Sequence, residues 1–417
     1  FLTGHHLEQY RHATYLPMDY YIEALSRDEG DIRCNNAVGL LLMRKGMFAE
    51  AQKYFDRAIQ TQTERNPNPY DGEPYYNLGW SKKMQGDNDG AYDAFFKATW
   101  NAAWQDAGYM GLAQIDAIRG DFAYGLEHIN RSLYRNWLNH KGRHLKTAIL
   151  RNMKEYGEAE ALIAESLKFD NFNMGCRFES YLIHLLQGNV EAAAVVKAEM
   201  KGLMRGAVNS YMEYAIDYAA AGMYNEASLL LGFVTEDSEI TYPMVYYALG
   251  YFAMKQGNEV AALDYFRKAE MMAPDYCFPN KLEEVLMLQE AMRMNKEGSK
   301  APYYLGNFWY AARIYDKAIA CWETSATLDG AYPTVLRNLS LAYYNKRNDS
   351  KKAVEMLEKA YALDSSDARI LMELDQLYKK LHYPHRQRLD FLEAHAEVVE
   401  QRDDLCIERI TLYNQLG

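Results

Sequence analysis

The chain has 417 residues, with 46 Lys+Arg against 57 Asp+Glu and a formal net charge of −11. That excess of carboxylates argues against nucleic acid as the main partner, because phosphate contacts need clustered Lys and Arg. No uninterrupted apolar run is long enough for a membrane-spanning helix, and 49% hydrophobic with 25% charged residues describes a folded chain rather than a disordered one. The unusual item is tyrosine, 35 of them.

The chain begins at Phe1 with no basic segment followed by an apolar one, and reads as a fragment or a processed chain. His5, His6 and His12 could hold a metal, but a flexible terminal segment is the stronger reading, and no metal or cofactor is expected. The five cysteines, Cys34, Cys176, Cys277, Cys321 and Cys406, are dispersed and lack zinc spacing. They read as small buried residues in a reducing compartment, which favours the cytoplasm.

From Tyr20 onward the chain repeats itself. Gly39, Gly46, Ala51, Phe55 and Ala58 have the same internal spacing as Gly79, Gly86, Ala91, Phe95 and Ala98, and as Gly250, Gly257, Ala262, Phe266 and Ala269. The last small residue of each unit falls at Ala24, Ala58, Ala98, Ser132, Ser166, Met200, Val234, Ala269, Ser325, Ala360 and Ala394. Eight of the ten intervals are 34 or 35 residues, the exceptions being 40 and 56. Within a unit, apolar residues at helical spacing flank a central glycine, so each unit reads as helix, turn, helix. Gly46, Gly86, Gly120, Gly188, Gly222 and Gly257 would end first helices, and Asp87, Asp121, Asn189 and Asn258 would cap second ones.

These residues resemble the tetratricopeptide repeat (TPR) family over nearly the whole chain. The resemblance implies an all-α, right-handed superhelix of about ten helix–turn–helix repeats, a non-catalytic role, and a concave groove lined by first helices. The segments Gly4-His-His-Leu-Glu-Gln-Tyr, Asn66-Pro-Asn-Pro-Tyr-Asp-Gly-Glu-Pro and Lys97-Ala-Thr-Trp-Asn further resemble the C-terminal half of large bacterial proteins of unassigned function. Those proteins carry an N-terminal mutarotase-like β-sandwich region. That resemblance implies that this chain is the helical half alone, with the β-rich half of the same polypeptide, or a carbohydrate, as a partner.

Two departures punctuate the array, giving a first sub-array over 1–277, an inserted helix at 278–299 and a second sub-array over 300–417 that stops after a first helix. The first departure is a proline-rich loop at 65–74 with Pro67, Pro69 and Pro74. The inserted helix carries Leu282, Val285, Leu286, Leu288, Gln289 and Met292 at helical spacing, with Asn280 as a candidate cap. It reads as a spacer or as a bend that shapes the groove.

Read at helical spacing, the first helices direct Glu73, Tyr76, Trp80 and Lys83, then Tyr247, Tyr251 and Met254, then Tyr303, Asn307 and Tyr310 toward the groove. Arg33, Asn36, Leu40 and Arg44 belong to an earlier helix of the same face, and Lys141, His144 and Arg151 to a middle one. Such a surface suits a protein or peptide ligand, since aromatic rings bury area at low entropic cost. Packing between helices competes for the same residues. The densest local cluster is Tyr70, Asp71, Glu73, Tyr75, Tyr76 and Trp80 with Trp100, Asn101 and Trp104. It reads as a glycan site or as bracing around an irregular join. Asn36 and Leu40 stand where a chaperone-tail clamp would have Lys and Asn, which speaks against that role. No nucleophile elbow, phosphate loop or metalloprotease motif occurs, and an enzyme is not expected.

Overall fold

The computed structural model describes residues 1–11, 14–68, 70–236 and 242–417; His12 of the histidine group and Pro69 of the proline-rich loop fall outside them. Every regular element among the described residues is helical, and the architecture is an α-α solenoid of helix–turn–helix pairs. The chain divides into two compact units, Phe1–Ala262 and Leu263–Gly417.

The first unit holds α1 (Leu2–Gln9), α2 (Pro17–Arg27), α3 (Ile32–Met43), α4 (Phe48–Thr63), α5 (Glu73–Met84), α6 (Asn88–Ala98), α7 (Gln105–Arg119) and α8 (Phe122–Arg135). It continues with α9 (His140–Asn152), α10 (Tyr156–Phe169), α11 (Met174–Leu186), α12 (Val190–Met204), α13 (Val208–Ala220), α14 (Tyr224–Thr235) and α15 (Met244–Lys255). The division between units falls inside α16 (Glu259–Met271). The second unit holds α17 (Leu282–Met294), α18 (Lys300–Ala311), α19 (Tyr315–Leu328), α20 (Pro333–Ala342), α21 (Ser350–Leu363), α22 (Ala368–Lys380), α23 (His385–Ala394), α24 (Ala396–Val399) and α25 (Asp403–Leu416).

The spacing found in the sequence has a steric cause. Among the described residues, a glycine on the first helix of a pair lies under an aromatic ring of the second at Gly4 under Tyr21, Gly39 under Phe55, Gly79 under Phe95 and Gly306 under Trp322. A Cβ built on these glycines would lie only 2.6, 2.4, 2.6 and 2.5 Å from the ring. Only a bare Cα admits that contact. Ala51, Phe55 and Ala58, and likewise Ala91, Phe95 and Ala98, are wholly buried at the resulting seam. The frame slips at both ends. Gly4 and Tyr21 sit one residue further apart than the other pairs, and Ala394 is exposed while Leu392 takes the buried position. The expected flexible N-terminal segment is instead helix α1, packed on α2 through Gly4.

The turns between paired helices are left-handed. Gly46, Gly86, Gly120, Gly188, Gly222 and Gly257 have φ between 71° and 83°. Where no glycine is present, Lys154, Arg313, Asn348 and His382 adopt the same sign of φ, 66°, 62°, 53° and 59°. Packing of the pair therefore sets the turn, and glycine only lowers its cost. Of the four expected caps, Asp87 accepts from the Gly90 N–H at 2.9 Å and Asn258 from the Ala261 N–H at 3.1 Å. Asp121 and Asn189 stand at the expected positions but make no such side-chain bond. At α17 the cap comes from Glu284, whose carboxylate accepts the N–H of Asn280 at 2.7 Å and of Lys281 at 2.9 Å, rather than from the Asn280 side chain. Its buried face is Glu284, Val285, Met287, Leu288 and Ala291, shifted from the stripe expected on periodicity. Cys34, Cys176, Cys277 and Cys321 are buried and unbridged.

Two substitutions separate these constraints. Gly39→Ala should destabilise the fold by about 1–3 kcal/mol, because the added carbon overpacks against Phe55. Arg313→Gly should stabilise it by roughly 0.5–1 kcal/mol by relieving a left-handed non-glycine turn. Urea denaturation of both variants checks the opposite signs.

Candidate functional site

The candidate residues have different surroundings in the two units. In the middle of the first unit the inner face closes on itself. Lys141 on α9 pairs with Asp217 on α13 at 2.7 Å, and Arg151 with Glu226 at the start of α14 at 2.9 Å, although each pair is separated by two repeats of chain. The His144 ring meets the Tyr218 ring edge-on at 4.5 Å, and Gly222 packs on Ile118. The space left among Met110, Gln114, His144, Asp217 and Tyr218 is about 10 Å³, room for one water at most. His144 and Arg151, expected on an open face, are only 4% and 7% exposed. Arg151 donates to Glu179 at 2.7 Å, and the Tyr218 hydroxyl donates to the same carboxylate at 2.6 Å. These charges serve the packing of α9, α11 and α13.

The aromatic cluster around the proline-rich loop splits in two. Tyr76 packs among Trp80, Phe95 and Trp104 with ring centroids 6.5, 5.7 and 4.9 Å away. Lys83 lies over Trp80 and contacts Gln114. Those side chains brace the join of α5, α6 and α7. Tyr70 and Trp100 point outward, 95% and 58% exposed, with Lys97 3.7 Å from the Trp100 ring centre. Asn101 is spent locally: its amide donates to the Tyr70 carbonyl and its oxygen accepts the Ala103 N–H. Asp71 likewise accepts the Glu73 N–H at 2.9 Å.

Asp71 and Glu73 instead border a cavity of about 260 Å³ with Phe1, His5, Glu8, Arg33, Asn36 and Arg44. Burial raises the Glu73 carboxyl above its ordinary range, and a hydrogen bond from Asn36 works against that shift. Helix α1 covers this end, with Glu8 contacting both Tyr21 and Arg44. Tyr247 is 1% exposed and belongs to the core, while Tyr251 is half-buried beside Lys255.

The second unit brings three predicted residues together. Tyr303, Asn307 and Tyr310 on α18 line an open cavity of about 670 Å³ with Trp322, Tyr332, Arg337, Asn338 and Arg369. Its remaining wall is the segment that leads into α17, with Pro274, Asp275, Tyr276 and Phe278. The rings face one another closely, Tyr303 to Tyr332 at 4.9 Å and Tyr310 to Trp322 at 5.1 Å. Tyr276 has φ 57° and is 90% exposed, a strained placement for a bulky side chain. Asn307 is oriented by Trp322. The indole N–H can only donate, and it is shared between the Asn307 side-chain oxygen at 3.1 Å and the Tyr303 carbonyl at 3.2 Å. The Asn338 amide donates to that oxygen at 3.3 Å. Arg337 is held by the Glu373 carboxylate, its Nε at 2.6 Å, and Arg369 reaches the same carboxylate at 3.3 Å.

Tyr276, Tyr332, Arg337, Asn338 and Arg369 were not among the sequence candidates. The one available signal was the break in period after Ala269: a segment that interrupts an array supplies what the repeats cannot.

Residues 32–64 and 245–276 match the tetratricopeptide repeat family model. Among solved structures, the chain is similar to a tetratricopeptide repeat protein from Parabacteroides merdae, with 17% identity over 64% of this chain and 98% of that one and a TM-score of 0.41. It is also similar to YrrB, described as a TPR protein with an unusual peptide-binding site, with 17% identity over 50% and 95% of the two chains and a TM-score of 0.23. A chain of the APC/C hetero-tetramer Cut9-Hcn1 matches with 12% identity over 99% and 95% and a TM-score of 0.28.

The closed inner face carries a pH signature. Burial first, then the charges of Arg151 and Lys141, lower the His144 pKa from 6.5 to about 3. The unfolded chain therefore binds a proton that the folded one refuses between those values. Stability should fall as pH drops below 6.5, with this group contributing at most about 1.4 kcal/mol per pH unit. Denaturation of wild type and His144→Gln at pH 7 and pH 5 should show a smaller loss in the variant.

Proposed function

We propose that this chain is a non-catalytic scaffold that holds an extended peptide of a partner protein in the aromatic cavity of the second unit. The observation that carries the reading is the fixed amide of Asn307. Its oxygen is committed to Trp322 and Asn338, so the remaining N–H groups are left for a ligand. An oriented amide between aromatic walls suits peptide recognition, where backbone hydrogen bonds set register and rings bury side chains. The role agrees with the repeat type matched by the family model, which serves as an interaction scaffold rather than as a catalyst. Of the site residues expected from sequence, Tyr303, Asn307 and Tyr310 are assigned to ligand contact. Tyr76, Trp80 and Trp104 are assigned to bracing.

Selection of a random peptide library on the immobilised chain tests this. Peptides should be retained, and Asn307→Ala or Tyr310→Ala should reduce their affinity by about tenfold or more, while Tyr70→Ala and Trp100→Ala leave it unchanged. Circular dichroism controls for folding. A library that yields no binder, or binders indifferent to Asn307 and Tyr310, would sink the reading.

A further inference from the structure

Given that peptide reading, we propose that the occupant of the second-unit cavity is a proline-rich, acidic segment held as a polyproline II helix. Three independent features of the site converge on this chemistry.

The first is the balance of donors and acceptors. The Asn307 oxygen is already used, which leaves its two N–H bonds as donors. Arg337 and Arg369 add guanidinium donors, and Thr334 adds a hydroxyl. The fixed donors of this wall call for acceptors on the ligand. A proline residue offers a carbonyl and no backbone N–H, so successive prolines present acceptors to these donors without adding N–H groups that need partners of their own.

The second is the shape of the apolar surface. Tyr303 against Tyr332 and Tyr310 against Trp322 form two ring pairs, in which Tyr310 and Tyr332 are the half-buried, more open members and Tyr303 and Trp322, 7% and 3% exposed, back them. Tyr276 stands at the lip in a left-handed backbone conformation. Grooves walled by tyrosine and tryptophan accept proline rings face to face, and a polyproline II segment reaches them already ordered, with little entropy left to lose.

The third is charge. Arg337 and Arg369 share a single carboxylate, Glu373, so the pair is one negative charge short. The Arg369 side chain is 63% exposed and open to a second carboxylate. Asp275, on the segment that leads into α17, disfavours an acid beside it. The acidic residue of the ligand therefore sits at the Arg369 end, and the prolines lie along the tyrosines.

Fluorescence anisotropy with the full chain and three labelled repeat peptides decides the matter. The probes are a proline–aspartate repeat, its serine-for-proline counterpart and its lysine-for-aspartate counterpart. The proline–aspartate probe should bind at least about tenfold more tightly than either of the others. Arg369→Glu should invert the preference between the aspartate and lysine probes. Tyr276→Gly should weaken binding without lowering Tm, because it removes the ring while relaxing the backbone. If the serine–aspartate probe binds as tightly as the proline–aspartate probe and Asn307→Ala abolishes both, the ligand class is wrong and the peptide reading survives. If none of the three binds, the proposal is overturned, and the library selection decides the broader reading separately.

Discussion

The fold rests on a contact between a ring and a bare backbone. Phe55, Phe95, Trp322 and Tyr21 each press on a glycine Cα of the preceding helix, closer than any Cβ would allow. That approach fixes the distance and rotation of the two helices in a pair. It leaves their far faces for the next pair, so each repeat is completed only by its neighbours. The left-handed turn follows from the same constraint. Helices held that close must be joined by a short reversal, and Lys154, Arg313, Asn348 and His382 take the strained conformation where glycine is missing.

Stacking pairs does not by itself produce a usable groove. In the first unit, α9 and α13 come close enough for Lys141 to reach Asp217 and for His144 to pack on Tyr218, and the inner face is filled. Residues that look like ligand contacts on a helical wheel are consumed there by the solenoid. In the second unit the segment before α17 enters beside α18 and α20, and a cavity remains between them. Aromatic side chains occur in both places, and more of them line the cavity of the second unit. What differs is whether another helix or an irregular loop faces them.

The proline-rich loop illustrates a related point. Its tyrosines and tryptophans form a dense group in sequence, yet Tyr76, Trp80 and Trp104 turn to one another around Phe95. Sequence density reported a packing problem, namely how α5 leaves an extended loop and still meets α7. Asn101 and Asp71 solve the rest of it by hydrogen bonding to nearby backbone. The sparser set on α18 lines an open cavity instead, where the Trp322 indole donates to the Asn307 side-chain oxygen.

The helix–turn–helix period, the all-α architecture, the turn glycines and most buried small residues were determined by the sequence alone. They follow from local rules: helical periodicity, left-handed turns and the absence of a side chain where two helices touch. The break after Ala269 was legible too, as was the candidacy of Tyr303, Asn307 and Tyr310. Tertiary structure decided which first helices keep an open face, why Tyr247 and His144 are buried, and how Tyr276, Arg337 and Arg369 join the lining of a cavity begun on α18. The reason is physical. A repeat specifies contacts with its nearest neighbours, but approach between helices two repeats apart depends on small rotations summed along the array, and no single unit encodes that sum.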